Sequence, residues 1–286
     1  VLTQDGEQRA KSPDEWSYIK YDIHNRPVVS GVITSTATRS ALTTAVANSS
    51  TREEVRNSSS VGYTLNRTYP VTATESGISA ITYYDDYTFR TNTNWSASNL
   101  AYGFSTVSGY PQPHATAVKG LATGSKLRTQ GTDTQWINSV TYYDAEYRPI
   151  QSITSHQMGG TLKSVTAYSF AEEVEKSLDL YTHTGGSTKV ERRYTYDHAG
   201  RPLKVYHRVN SEPEVMLSHF QYNELGEATE IIHHGGTWLY KTSLKSILQG
   251  RTDEILYSYA NGNPVFRQKL DYHKASGTGN TTRPGV

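Results

Sequence analysis

The chain has no cysteine. Disulfides, thiolate metal sites and cysteine nucleophiles are therefore excluded, and the absence fits a secreted bacterial protein that avoids stray oxidation in the periplasm. Charge of a dominant sign is also missing: 28 Lys and Arg stand against 27 Asp and Glu, for a net charge of +1. That is not the electrostatic footprint of a nucleic-acid binder, and no block of like charge forms a tail. No apolar run approaches the ~18 residues of a membrane-spanning helix. The sequence starts Val1-Leu2-Thr3-Gln4, without a basic-then-apolar leader; it reads as an internal or processed piece of a longer secreted polypeptide. Nucleophile elbow, P-loop, dinucleotide G-x-G-x-x-G and H-E-x-x-H motifs are all lacking. Apolar residues are few as well. They make up 35% of the chain, and the fraction is unchanged when the 22 Tyr are replaced in the count by the 22 Gly. Globular domains typically reach ~45–50% on the glycine-inclusive count.

Tyrosine must therefore supply much of the buried area, burying a large ring while keeping a hydroxyl that needs a partner. Tyr, Thr, Val and Ile dominate and long helix-periodic runs are scarce, which favours strands. The most informative stretch is RRYTYDHAGRPLKVYH at residues 192–207. Arg193-Tyr194-Thr195-Tyr196 alternates with period two, Asp197-His198-Ala199-Gly200 is turn chemistry, and Leu203-Lys204-Val205-Tyr206 resumes the alternation. The pattern is a β-hairpin with a short loop.

The hairpin recurs. Tyr21-Asp22 leads through Asn25 to Arg26-Pro27, and Tyr143-Asp144 leads through Tyr147 to Arg148-Pro149. Tyr222-Asn223-Glu224-Leu225-Gly226 replaces Asp by Asn, and Tyr84-Asp85 keeps the Tyr-Asp pair without Arg-Pro. Tyr257-Ser258-Tyr259-Ala260-Asn261-Gly262-Asn263-Pro264 reads as a degenerate copy on an Asn-Gly turn. Proline lacks a donor, so Pro27, Pro149 and Pro202 belong at a strand start or edge. Arg26, Arg148 and Arg201 occupy equivalent places, where each can pair with its own turn Asp or stack on a Tyr of the next hairpin.

Three copies of Tyr-Asp-x-x-x-Arg-Pro make the sequence similar to the YD-repeat, or RHS-repeat, family, whose core motif is close to YxYDxxGRL. The match is strongest over residues 140–226. Lys119 to Gly124, Val140 to Gln151, Met158-Gly159-Gly160 and Tyr222 to Gly226 resemble the long surface proteins of this type in Gram-negative gliding bacteria. The resemblance implies hairpins laid side by side in a curved or spiralling sheet or shell. It also implies a secreted or cell-surface, outer-membrane location and partners in the same polypeptide or in an outer-membrane or secretion-linked complex. The self-cleaving, aspartyl-protease-like region and variable toxin of the family have no matching motif here, so only repeat residues carry over.

The expected fold is mostly β: antiparallel Tyr-rich hairpins side by side, with one short helix near the N-terminus. Residues 1–118 form an irregular N-terminal part with the first hairpin and a long loop at 89–118. Residues 119–270 form the repeat sheet, and 271–286 a flexible tail. Within the first part, 1–15 read as extended, 37–47 as the helix with Thr36 or Ser35 as N-cap, and 62–70 as an extended segment.

No residue is assigned a catalytic, metal-binding or cofactor-binding role, and no cofactor is expected. His233-His234 would point to opposite strand faces and chelate poorly. Asp85-Asp86 offers hard-cation ligands but reads better as a turn cap. Glu172, Glu173 and Glu175 read as a solvated acidic loop where a degenerate repeat would turn. The expected function is a non-enzymatic structural or interaction scaffold at the bacterial surface. The alternatives are the shell of a polymorphic toxin enclosing an effector, and a carbohydrate-binding adhesin that uses exposed Tyr, with a glycan as partner. Neither nucleic acid nor a membrane span is expected.

Overall fold

The structure is a computed structural model and describes residues 2–92, 95, 102–113, 118–129, 135–156, 158–235, 240–246, 251–259 and 261–270. The expected tail at 271–286 lies outside them, as do parts of the loop at 89–118. The described chain is mostly β, with sixteen antiparallel strands in one open sheet in sequence order. They are β1 (Leu2–Thr3), β2 (Asp14–Tyr21), β3 (Pro27–Ser35), β4 (Ile78–Tyr84), β5 (Ala122–Arg128), β6 (Trp136–Tyr143), β7 (Pro149–Ser155) and β8 (Thr161–Tyr168). There follow β9 (Val174–His183), β10 (Gly186–Tyr196), β11 (Pro202–Val209), β12 (Val215–Tyr222), β13 (Ala228–Gly235), β14 (Tyr240–Ser246), β15 (Thr252–Tyr259) and β16 (Pro264–Lys269). Two α-helices among the described residues interrupt them, α1 (Gly6–Ala10) and α2 (Arg39–Ala47).

Three N-terminal expectations are corrected. Residues 1–15 are not simply extended: Asp5 and Gln8 form a capping box that starts α1, because each side chain satisfies an orphan backbone N–H of the first turn. The expected helix begins later, with Thr38 as N-cap accepting from the Ala41 N–H; Ser35 instead ends β3. Residues 62–70 hold no strand beyond an isolated bridge between Arg56 and Tyr63. The carbonyls of Leu65, Thr68 and Pro70 accept from Lys20 instead.

Contacts divide the chain into two units, one of Val1–Val165 with Leu180–Ser187 and one of Thr166–Asp179 with Thr188–Val286. The first has a dense core. Register places Tyr18 against Gly31, Lys20 against Val29, Val29 against Ile81 and Ile81 against Lys126. The same face continues through Tyr83, Gly124, Val140 and Ile153. Segments from the two long connections cover it. Between β3 and β4, Leu42, Val61 and Tyr63 are buried; between β4 and β5, Phe89, Trp95 and Tyr102 are. Ring contacts run from Tyr63 to Tyr83, Phe89, Trp95 and Tyr102 at centroid distances of 5.8, 4.3, 5.0 and 5.1 Å. Gly124 has no Cβ because the Phe89 ring occupies that space. Aromatic rings thus supply the area that the low aliphatic content withholds.

The β3–β4 connection is fastened by a fully buried ion pair. Lys20 Nζ donates to Glu54 Oε1 at 2.9 Å, and to the carbonyls of Leu65, Thr68 and Pro70 at 2.8, 2.8 and 3.0 Å. Burial pushes Glu54 up, but hydrogen bonds from Thr64, Thr68 and Lys20 outweigh it and hold the carboxyl below its usual range. Burial favours a neutral amine at Lys20, while Glu54 opposes that shift. We take the pair as ionised, since every polar atom of both groups is surrounded by complementary partners.

The second unit is built differently. Among its described residues only Ala167, Leu178 and Ser258 are buried, and the rest are half-buried or exposed. Its sheet is stabilised by neighbouring strands rather than by a thick core.

Candidate functional site

The turns between paired strands hold most of the residues singled out in the sequence. Each is built by one side chain at its first position. Asp22 Oδ1 accepts from the His24 and Arg26 N–H groups, both at 2.9 Å. Asp144 Oδ1 does the same for Glu146 and Arg148 at 3.0 and 2.9 Å, and Asp197 Oδ1 for Ala199 and Arg201 at 2.8 and 3.0 Å. The second carboxylate oxygen takes the Arg Nε–H of the fifth position, at 2.8 Å in the first two turns and 2.6 Å in the third. The backbone N–H of the first residue meets the carbonyl of the fifth at 3.0 Å in all three.

The fourth position takes positive φ: 58° at Asn25, 65° at Tyr147, 74° at Gly200 and 86° at Gly226. Glycine is the unstrained choice there and asparagine an acceptable one. Pro27, Pro149 and Pro202 begin β3, β7 and β11, each opposite the Tyr that ends the preceding strand. A bulge falls at each of these pairs, so the missing N–H of proline disturbs no regular ladder.

Two turns of the same geometry carry the opposite side-chain chemistry. Asn223 Oδ1 accepts from the Leu225 and Glu227 N–H groups, and its amide donates to Glu227 Oε2 at 2.9 Å. Ser169 Oγ accepts from the Ala171 and Glu173 N–H groups at 3.1 Å, and its hydroxyl lies 3.3 Å from Glu173 Oε2. An acceptor at position one goes with Arg at position five; a donor at position one goes with Glu. The expected acidic loop is thus a repeat turn of reversed charge sense at Glu172 and Glu173, while Glu175 lies in β9 instead. Sequence reading placed Glu173 in a solvated acidic loop but missed its partner Ser169, and it missed Glu227 beside Asn223; the paired change at positions one and five was the signal. His156 N and Gly160 O close a further turn at 3.1 Å, with Gly159 at a φ of 86°.

Four of the Tyr residues that precede turns tie one hairpin to the next. Tyr84 OH donates to the Pro27 carbonyl at 3.2 Å, Tyr143 to Ala122 at 2.6 Å, Tyr196 to Val174 at 2.9 Å and Tyr222 to Pro202 at 2.8 Å. The acceptor is always the first residue of the preceding strand of that class. Guanidinium groups lie over two of these rings, Arg26 over Tyr84 at 4.3 Å and Arg201 over Tyr222 at 4.5 Å. Tyr21 ends β2, and its carbonyl accepts from the Glu54 N–H at 2.8 Å. Tyr194 sits inside β10 opposite Val205.

Asp85 belongs to the same series. Its N–H meets the Leu121 carbonyl at 3.1 Å, the bond that Asp22 makes four residues on. Residues 86–120 are an insertion inside this turn. Asp85 accepts from the Gly120 N–H at 2.6 Å, and from both ends of the Arg26 fork at 2.9 and 2.6 Å. The guanidinium and the Gly120 N–H hold its carboxyl at about 2, against a smaller upward push from burial. Asp197 is lowered chiefly by the N–H of Arg201.

The degenerate copy at 257–264 is displaced. Its turn is Tyr259 to Asn263, with Gly262 at a φ of 84°, and it joins β15 to β16. By strand parity this is the opposite end of the strands from the turns at Asp197 and Asn223. His233 reaches Thr242 Oγ1 at 3.1 Å. His234 has a φ of 58°, so the pair does not follow simple strand alternation; the adjoining Gly236 is outside the described residues. No group of three or more potential metal ligands occurs among the described residues. No helix among them is long and apolar enough to cross a membrane.

No family model matches the sequence, and no curated protein matches it. Among solved structures, the chain is similar to crystal structures of TcdB2-TccC3-TEV and TcdB2-TccC3-Cdc42, each at 10% identity and a TM-score of 0.22. A crystal structure of TcdB2-TccC3 matches at 9% identity with the same TM-score. The alignments cover 94% of this chain, which spans 15% of the length of the chains it matches.

Proposed function

We propose that the chain is a non-enzymatic structural and interaction scaffold of the bacterial cell surface. On this reading it is a run of Tyr-rich hairpins within a longer secreted polypeptide, serving an outer-membrane or secretion-linked assembly. One observation carries the proposal: the polar groups that recur along the sequence are spent on joining strands. The turn carboxylates of Asp22, Asp144 and Asp197 are filled by backbone N–H groups and by their own arginines. The hydroxyls of Tyr84, Tyr143, Tyr196 and Tyr222 are given to neighbouring carbonyls. A repeated residue set used this way specifies architecture, whereas a catalytic set would aim unspent groups at a common point.

The test is quantitative co-purification of the tagged parent protein from native envelopes, read by mass spectrometry. A stoichiometric envelope partner is expected. A released C-terminal fragment without such a partner would replace this reading by a toxin shell. Saturable binding on a glycan array would replace it by an adhesin.

A further inference from the structure

The scaffold reading uses the inward-facing polar atoms of the turns and leaves their tips unassigned. In the second unit, three turns of the class follow one another at one end of the strands: Ser169 to Glu173, Asp197 to Arg201 and Asn223 to Glu227. They abut. A Cβ on Gly200 would lie 2.7 Å from Glu173 Oε1, and one on Gly226 would lie 2.8 Å from Arg201 Nη1. Successive turns are two strands apart, roughly 9.5 Å, so the outer two are roughly 19 Å apart.

Two of the three tips carry a large exposed apolar residue, and the middle one carries the exposed His198 and Ala199. Phe170 is fully exposed and Leu225 is 79% exposed, although nothing in turn geometry requires either residue. Single exposed apolar residues are ordinary on a surface; a large one on each of two turns at the same rim of one sheet is less so. The rim around them is acidic. Glu172, Glu173, Glu224 and Glu227 lie on these turns and Glu175 just inside β9; the guanidinium on these turns, Arg201, is held by Asp197 at 2.6 Å, and His198 is the other group there that can carry positive charge.

We infer that this turn end is a docking surface for a cationic amphipathic protein segment. Its large apolar side chains seat on Phe170 and Leu225, and its Lys or Arg side chains face the glutamates. The charge decides the occupant: a carboxylate rim repels nucleic acid and anionic bilayers and attracts a basic segment. The inference rests on the scaffold reading and names the chemistry of its partner.

The test uses the full chain and a fluorescent Lys–Leu amphipathic peptide of about 18 residues, roughly 27 Å long as a helix. The comparison probes are its Glu–Leu counterpart, an oligolysine of equal charge, and phosphatidylcholine–phosphatidylglycerol vesicles. Saturable binding of the Lys–Leu peptide is expected. It should weaken about tenfold or more in Phe170→Ser/Leu225→Ser and in Glu172→Gln/Glu224→Gln, with melting temperatures unchanged. Ile23→Ser, at an exposed tip of the first unit, should bind as the parent does. No binding, equal binding by the tip variants, equal affinity for oligolysine, or binding to vesicles alone would each overturn the proposal. Cleavage of the bound peptide, read by mass spectrometry, would overturn the non-enzymatic reading and leave the surface standing.

Discussion

Arg26 joins two aspartates from different hairpins: Asp22, four residues before it, and Asp85, 59 residues after it. One guanidinium thereby closes its own turn through Nε and clamps the neighbouring turn through both Nη atoms, a use that lysine cannot reproduce.

Asp85→Asn should lower stability at pH 7 by about 0.5–1 kcal/mol, a modest figure because a third of the Asp85 side chain meets solvent and such pairs are screened. The folded carboxyl, at about 2, is depressed below its unfolded value. Its contribution is therefore present above about pH 4 and is lost as the pH falls through about 2. Urea unfolding should separate parent and variant at pH 7 and bring them together near pH 2. A difference that persists at pH 2 would assign the effect to something other than this ion pair.

Tyr147 holds a φ of 65° and is largely exposed. Tyr147→Gly should stabilise by about 0.5–1 kcal/mol, the relief of left-handed strain exceeding the added freedom of the unfolded chain. Gly200→Val should cost about 1–2 kcal/mol or more at its φ of 74°, where β-branched residues are outliers. Thermal melts of both variants check the assignment; shifts of the same sign would count against it.

Asn223 and Glu227 form the reversed version of the Asp–Arg pair. Asn223→Asp alone sets two carboxylates against each other and should destabilise by about 1 kcal/mol. Asn223→Asp with Glu227→Arg rebuilds the Asp197–Arg201 arrangement and should recover that loss. A double-mutant cycle in urea measures the coupling, and additive effects would refute the equivalence of the two turns.

The hairpins were legible because Asp197, Gly200, Arg201 and Pro202 each answer to a local rule: a side-chain acceptor, a left-handed residue, an ion pair and a strand start. Ser169 to Glu173 was harder to read because both members of the pair had changed, so neither residue alone looked like the motif. Asp85 was read as a turn cap, but its closing partner lies across a long insertion and no local pattern could name Leu121. The covering layer of the first unit was hidden for a different reason. Leu42, Phe89 and Trp95 have no periodicity among themselves; they share only contact with the sheet. Nothing local marks Lys20 as buried, since its partner Glu54 sits in a segment without regular structure, 34 residues on.

Lys126 lies on the buried face of β5, with its ammonium 5.5 Å from the Trp95 ring centroid and 5.7 Å from that of Trp136. Burial lowers its pKa to about 8, with Glu75 opposing. Between about pH 8 and 10 the unfolded chain binds the proton that the folded chain has released, so stability should rise with pH by on the order of 2–3 kcal/mol. Above pH 10 the buried Tyr18 and Tyr63, both pushed up to about 12, reverse the trend, because the unfolded phenols ionise first. Lys126→Met should flatten the rise between pH 8 and 10 in urea titrations. A rise of equal size in the variant would locate it elsewhere.

The turn at Asp85 makes the same closing bond whether four residues or more than thirty separate its ends. The β4–β5 ladder and the Tyr84 hydroxyl bond to Pro27 stand at the base of that turn regardless of its length. The turn at Asp85 is a port: a long segment is spliced in, and the strand pairing on either side keeps its indexing. A lineage that elongates by duplicating hairpins can diversify by loading single ports, and the two processes need not interfere.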